Sequence, residues 1–215
     1  MIGMTGMSEL AEIVYIVDDD ASVRTGLGRL LRAAGFAVEA FDSAEAFLAR
    51  GPYNQVACLV LDVHMPGLDG LALQAQLSAR QASLPIVFLT GVGDIPMSVA
   101  AMKQGACDFL TKPVDETVLL EAIRQALTRQ RAHLGDALAV NALRARLILL
   151  TPREGEVLRW VIGGALNKQI AAHLGIAEKT VKIHRGRVME KLAVGSIAEL
   201  VGLCHQAGVE PLTVL

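Results

Sequence analysis

The sequence has little of what marks secreted, zinc-binding or membrane-spanning chains. Cysteine is scarce: Cys58, Cys107 and Cys204 lie far apart. That spacing makes neither a disulfide framework nor a zinc-ligand pattern, and their apolar neighbours suit small core side chains. No apolar run approaches the ~20 residues that a membrane-crossing helix needs. The N-terminus has no basic stretch followed by an apolar one, so no secretion signal is expected. A cytoplasmic protein with no membrane partner is the expectation. Residues 1–7, bounded by Met1 and Met7, read as a disordered extension. Aromatic residues make up only 4% of the chain, so its cores must be mostly aliphatic. With 53% apolar residues among 215, there is enough for two small cores.

Net charge is also small, at −2, but it is unevenly spread. Through Leu127 there are 8 Lys/Arg and 15 Asp/Glu, a balance of −7. From residue 128 onward there are 12 against 7, a balance of +5. An acidic half joined to a basic half implies two domains with different partners, the basic one suited to a polyanion.

The acidic half alternates short strands with amphipathic helices. An apolar strand over residues 13–17 runs into Asp18, Asp19 and Asp20. Val23, Leu27, Leu30, Leu31 and Ala34 follow at helical spacing, stopped by Gly35. Phe36, Val38 and Ala40 alternate as a second strand, and a short helix starts from Ser43. Residues 57–61 form an apolar strand that ends at Asp62. Pro66, Gly67 and Gly70 punctuate the loop before a helix with Leu71, Leu73 and Leu77. A fourth strand over residues 85–89 closes on Thr90, followed by a helix over residues 96–104 with apolar Val99 and Met102. Residues 107–110 read as a fifth strand. Val114, Val118, Leu119, Ala122, Ile123, Ala126 and Leu127 mark a fifth helix. Residues 128–150 are charged and rich in Ala and Leu, as in an extended fifth helix or a helical linker. The implied domains cover residues 11–127 and 148–210, with a linker over 128–147.

Five β/α units imply a parallel sheet with helices on both faces, and chemistry in such sheets gathers at the carboxyl ends of the strands. Asp18, Asp19, Asp62, Thr90 and Lys112 should therefore meet at one edge. Three clustered carboxylates repel one another unless a cation binds. Their hard oxygens suit Mg²⁺ (or Mn²⁺). A carboxylate is also a nucleophile toward phosphorus, and phosphoryl transfer needs cations to neutralise the phosphoryl oxygens. Lys112 supplies one such charge and Thr90 a hydroxyl. Lys112-Pro113 reads as an extended dipeptide that aims the lysine. Asp20 is set apart as the cap of the first helix.

The segments VYIVDDDASVR, LVLDVHMPGLDG and PIVFLTGVGDIPMSVAAMKQGACDFLTKP resemble the receiver domain of two-component signalling. That resemblance implies a flavodoxin-like five-stranded (βα)5 domain. It places the phosphoacceptor at Asp62, the acidic metal-binding pair at Asp18 and Asp19, and a metal-binding backbone carbonyl at His64. It also makes Thr90 and Phe109 the switch pair, with Phe109 lacking the hydroxyl of a tyrosine. A sensor histidine kinase would donate the phosphoryl group. The domain would promote its own phosphorylation and dephosphorylation without being an enzyme in the usual sense, and the phosphorylated form would dimerise.

The basic half is helical in pattern. Thr151-Pro152-Arg153-Glu154 is a helix start. Val157, Leu158, Val161 and Ile162 give that helix an apolar face, and Gly163-Gly164 ends it. Asn167 is the expected cap of the next helix, which buries Ile170, Ala171 and Leu174 before the Gly175 turn. Residues 178–192 then form a basic helix, followed by a fourth helix over residues 196–206. A short helix, a glycine turn and a basic helix make a helix-turn-helix candidate. Val181, Val188 and Leu192 fall on its core side, with Lys179, Lys182, Ile183 and Gly186 opposite and Arg185 at the border. The DNA-contacting set is read as Lys179, Thr180, Lys182, Ile183, His184, Arg185 and Arg187.

The segment LTPREGEVLRWVIGGALNKQIAAHLGIAEKTVKIHRGRVMEKL resembles the LuxR-type DNA-binding domain, and the domain order resembles the FixJ/NarL class of response regulators. Gly155 departs from that pattern, since a better helix former is usual there. The resemblance implies a second, all-α four-helix domain and a phosphorylation-dependent transcription regulator, an activator that recruits RNA polymerase to double-stranded promoter DNA as a homodimer. Two other readings stand beside it: a signalling module whose helical domain binds protein, and a metal-dependent phosphatase built on the same carboxylates.

Overall fold

In the computed structural model, which describes residues 12–51, 55–80, 82–91 and 95–213, two compact units divide between Leu134 and Gly135. Residues 1–7 and residue 11 lie outside the described residues. The first unit alternates β1 (Ile13–Val17), β2 (Ala37–Phe41), β3 (Ala57–Asp62), β4 (Ile86–Thr90) and β5 (Asp108–Thr111) with α1 (Ala21–Ala33), α2 (Ala44–Ala49), α3 (Gly70–Ala79), α4 (Ile95–Lys103) and α5 (Glu116–Leu147). All strands run parallel in the order β2-β1-β3-β4-β5. This is the flavodoxin-like arrangement expected from the sequence.

The apolar runs have a direct cause. β1, β3 and β4 are buried at every position, so both alternating side-chain sets are apolar up to the buried polar residues Asp62 and Thr90 that end β3 and β4. Tyr15 and Val17 join Phe47, Leu73, Leu77, Phe88 and Ala101 on one face of the sheet. Val14 and Ile16 join Leu27, Leu31, Leu119 and Ile123 on the other. Each fully buried aliphatic side chain of this kind contributes roughly 1.5–3 kcal/mol.

Several local readings shift. Phe36 precedes β2, because its N–H donates to Leu31 O at 3.0 Å in the turn after α1. Val114 lies before α5, whose start is fixed by Asp115 Oδ1 accepting from Thr117 N at 2.8 Å. The Lys112-Pro113 peptide is cis. Val99, Met102 and Val118 are 44, 45 and 48% exposed, and Ile95 is 80% exposed. Spacing found the apolar positions of α4 and α5 but not what covers them.

The second unit contains α6 (Pro152–Ile162), α7 (Asn167–Leu174), α8 (Glu178–Leu192) and α9 (Ile197–Gln206). Thr151 caps α6 through a reciprocal pair: Glu154 N donates to Thr151 Oγ1 at 3.3 Å, and Thr151 N to Glu154 Oε2 at 2.9 Å. Leu143 near the end of α5 packs with Val157, Leu158, Ile170, Val181, Val188, Leu192 and Leu200. Asn167 does not cap α7. It is the first helical residue, and its Oδ1 accepts from Arg185 Nη1 at 2.7 Å. Gln169 Oε1 takes over at that end by accepting from Leu166 N at 2.8 Å. Gly175 turns the chain into α8 at φ +64, where a side chain would be strained. A Cβ at Gly155 would meet nothing within 4 Å.

Candidate functional site

Parallel pairing carries four segments to one edge. Asp18 follows β1, Asp62 ends β3, Thr90 ends β4 and Lys112 follows β5. Pairing of Thr90 with Thr111, and a 2.7 Å bond from Lys112 N to Thr90 O, fix the last two side by side. The Lys112 ammonium then reaches between two acids, with Nζ at 2.6 Å from Asp18 Oδ2 and 3.0 Å from Asp62 Oδ2. Asp18 and Asp62 are buried and Asp19 is exposed, yet one oxygen of each lies within 4.8 Å of the others. Three hard oxygen donors that converge in this way fit a small divalent cation. The His64 imidazole is exposed and does not belong to that set. Its backbone N–H donates to Asp62 Oδ1 at 3.4 Å.

The electrostatics follow from burial. Loss of water pushes the Asp18 carboxyl above the usual carboxylate range, against hydrogen bonds from Lys112 and from Asp20 N. Burial alone would lower the Lys112 ammonium, but hydrogen bonds to Asp18 and Asp62 hold it above its ordinary value. The cation therefore stays charged beside a carboxylate pair that would otherwise repel. Asp20 plays the separate part expected of it, accepting from Ser22 N at 2.7 Å at the start of α1.

Two supports of the site gave no usable sign in the sequence. Arg24 Nη1 donates to Asp18 O at 2.7 Å, which ties α1 to the end of β1. Gly70 was legible only as a loop residue. Its N–H donates to Val63 O at 2.9 Å, and a Cβ there would lie 2.3 Å from Asp62 O. Only a bare backbone can pass so close behind the acid. Thr90 is fully buried, and Phe109 is half-buried with its ring centroid 5.9 Å from that of Phe88. That places a hydroxyl and an aromatic ring on the adjoining strands β4 and β5.

In the second unit, α8 buries Val181, Val188 and Leu192 and exposes Lys179, Lys182, Ile183, Gly186 and Arg187. Thr180, His184 and Arg185 are half-buried. Arg185 is bound to Asn167, and His184 Nδ1 is buried with no hydrogen-bond partner among the described residues. Lys191 belongs to the fold instead: its Nζ lies 2.6 Å from Glu154 Oε2 and 3.1 Å from Leu149 O. The remaining exposed face combines cations with one apolar side chain, a composition suited to phosphates and base edges in a major groove.

Comparison with known proteins agrees with both halves. Residues 14–124 match the family model described as response regulator receiver domain, and residues 149–204 that described as bacterial regulatory proteins, luxR family. The response regulator protein TodT of Pseudomonas putida is 45% identical over 199 residues, spanning 93% of this chain and 88% of its own. The transcriptional regulatory protein FixJ of Bradyrhizobium diazoefficiens is 41% identical over 91% of this chain and 95% of its own. Among solved structures, the response regulator StyR aligns with a TM-score of 0.75 at 50% identity, covering 91% of this chain and 99% of that one.

Proposed function

The chain belongs to the response regulators that join a receiver domain to a LuxR-type DNA-binding domain, and on that premise we propose that phosphoryl transfer to Asp62 governs promoter binding by α8. The protein is a transcription regulator, and the reading of the helical unit as a protein-binding module gives way to its match with the luxR family. A receiver domain implies a histidine kinase partner, and the second domain implies DNA. We take the domains as residues 11–127 and 148–210, joined by a linker over residues 128–147.

The observation that carries this reading is the Lys112 ammonium held between Asp18 and Asp62. An Asp62 carboxylate oxygen forms the new P–O bond as the P–N bond of the donor's phosphohistidine breaks. Lys112 turns from the bare carboxylate to the phosphoryl oxygens and offsets their charge. Asp18, Asp19, Asp62 and the His64 carbonyl would hold Mg²⁺ or Mn²⁺, which supplies further charge neutralisation when bound. The same groups serve the domain's own dephosphorylation. The Thr90 hydroxyl then bonds the phosphoryl group, and Phe109 repacks into the space it leaves.

That repacking lies beside α4 and the start of α5, where Ile95, Val99, Met102 and Val118 are exposed. This apolar set is the dimer surface in our reading. A dimer sets two α8 helices on paired half-sites, with Lys179, Thr180, Lys182, Ile183, His184, Arg185 and Arg187 facing DNA. The protein then acts in the cytoplasm as an activator that recruits RNA polymerase. Among the described residues no helix is long and apolar enough to cross a membrane. Intact mass after incubation with acetyl phosphate and Mg²⁺ tests the acceptor: one phosphoryl group should add to the wild type and none to Asp62→Asn. Labelling of the variant to the wild-type extent would refute the assignment.

A further inference from the structure

Two cations of α8 differ in what holds them. Lys191 Nζ lies 2.6 Å from Glu154 Oε2, so a carboxylate cancels its charge. Arg185 is held by a neutral group: its Nη1 donates to Asn167 Oδ1 on α7 at 2.7 Å. A guanidinium carries donors and no acceptor, so the amide must turn its oxygen toward it. That bond fixes the direction of a long, flexible side chain and leaves its charge uncancelled.

The start of α7 is served by another group. Leu166 is the residue before the helix, and its N–H donates to Gln169 Oε1 at 2.8 Å. Asn167 is the first helical residue, where alanine is at least as good a helix former. What the asparagine adds there is its bond to Arg185. Both members of the pair are half-buried, whereas Lys182 and Gly186, the neighbours of Arg185 on α8, are exposed. Arg185 therefore borders the exposed face. A contact through Nη1 leaves the Nε–Nη2 fork of the guanidinium chemically intact, and a two-donor fork is the geometry that pairs with O6 and N7 of guanine.

We propose that Asn167 is a positioning residue for DNA recognition: it holds Arg185 so that the Nε–Nη2 fork reads one guanine in the major groove. The inference rests on the reading of α8 as the DNA-binding helix. It makes a residue of α7 a determinant of sequence preference that acts through Arg185 and touches no base itself. Lys182 supplies charge to the phosphates, and the tied arginine supplies selectivity.

The test is a double-substitution cycle on the full chain with acetyl phosphate and Mg²⁺ present. The probe is a duplex that the wild type enriches from a randomised library, with calf thymus DNA as the non-specific reference. Asn167→Ala and Arg185→Ala should each lower the preference for the probe about tenfold, the worth of one bidentate base contact. The double variant should fall no further than Arg185→Ala alone. Asn167→Asp, which keeps an acceptor, should retain the enriched guanine on reselection. Arg185→Lys, which keeps the charge and loses the fork, should lose the preference with its salt slope unchanged. Melting followed by Trp160 fluorescence should not move in Asn167→Ala. A wild-type preference in Asn167→Ala or Arg185→Lys would overturn the proposal. So would a loss from Asn167→Ala that is as large in the Arg185→Ala background as in the wild type. Either result leaves DNA binding by α8 standing, whereas a wild type that enriches no duplex removes that reading and the proposal with it.

Discussion

Lys112 stands 50 residues beyond Asp62, yet its ammonium lies 3.0 Å from the Asp62 carboxylate. The separation in sequence is closed by the order β3-β4-β5, which sets the ends of three strands in a row. If this lysine neutralises the phosphoryl oxygens in the transition state, its loss should slow the chemistry more than the folding. Lys112→Met should cut the initial rate of labelling by acetyl phosphate on the order of 10²-fold. A rate within a factor of two of the wild type would show that the contact is structural only.

Gly70 makes a sharper test of how the acid is held. A Cβ there would lie 2.3 Å from Asp62 O and 3.0 Å from Val63 Cα, both backbone atoms that cannot turn aside. Gly70→Ala should destabilise the first unit by about 1–3 kcal/mol and lower the extent of phosphorylation. Gly155→Ala is the opposite case, a helix-interior glycine with nothing within 4 Å of the added carbon. It should stabilise the second unit by up to about 1 kcal/mol. Thermal unfolding of both variants reads the contrast, and shifts of the same sign would contradict it.

The second unit should carry its own acid sensitivity. The Lys191 ammonium, followed by the Thr151 backbone N–H, lowers the Glu154 carboxyl from 4.5 to about 2. A carboxyl whose folded pKa is depressed stabilises fully above its unfolded value, and that stability is lost as pH falls through the folded one. The loss should therefore run from pH 4.5 down to about 2. Glu154→Gln should cost about 1–3 kcal/mol near neutral pH and flatten this part of the profile. Trp160, the only tryptophan, lies in α6 and reports unfolding of this unit by fluorescence. An unchanged slope in the variant would mean that other groups carry the acid sensitivity.

Two lysines on α8 should separate in their effect on DNA. Lys182 is exposed, whereas Lys191 is bound to Glu154 and Leu149 O. Lys182→Ala should weaken promoter binding and reduce the salt slope by about 1, the loss of one phosphate contact. Lys191→Ala should lower the melting temperature and leave that slope unchanged. Equal effects of the two on the slope would contradict this division of α8.

The sheet was legible because burial on both faces forces continuous apolar runs, and because those runs end on Asp18, Asp62 and Thr90. The capping pair Thr151 and Glu154 was legible because its spacing is local. What escaped was choice among partners. Asn167 is a good cap by type, but Arg185 claims its oxygen across the helix pair. Lys191 reads like any other cation of α8 until Glu154 is brought beside it by folding. Arg24 has no sequence mark of its bond to Asp18 O, since that contact depends on where α1 sits on the sheet. Period and residue type report which face is apolar. They do not report which neighbour the fold supplies.

Footprinting of the full chain on its promoter, with and without acetyl phosphate and Mg²⁺, tests most directly whether Asp62 governs α8. The wild type should protect paired half-sites at lower protein concentration once phosphorylated, and Asp62→Asn should show no such gain. Equal protection by wild type and variant under both conditions would contradict the account.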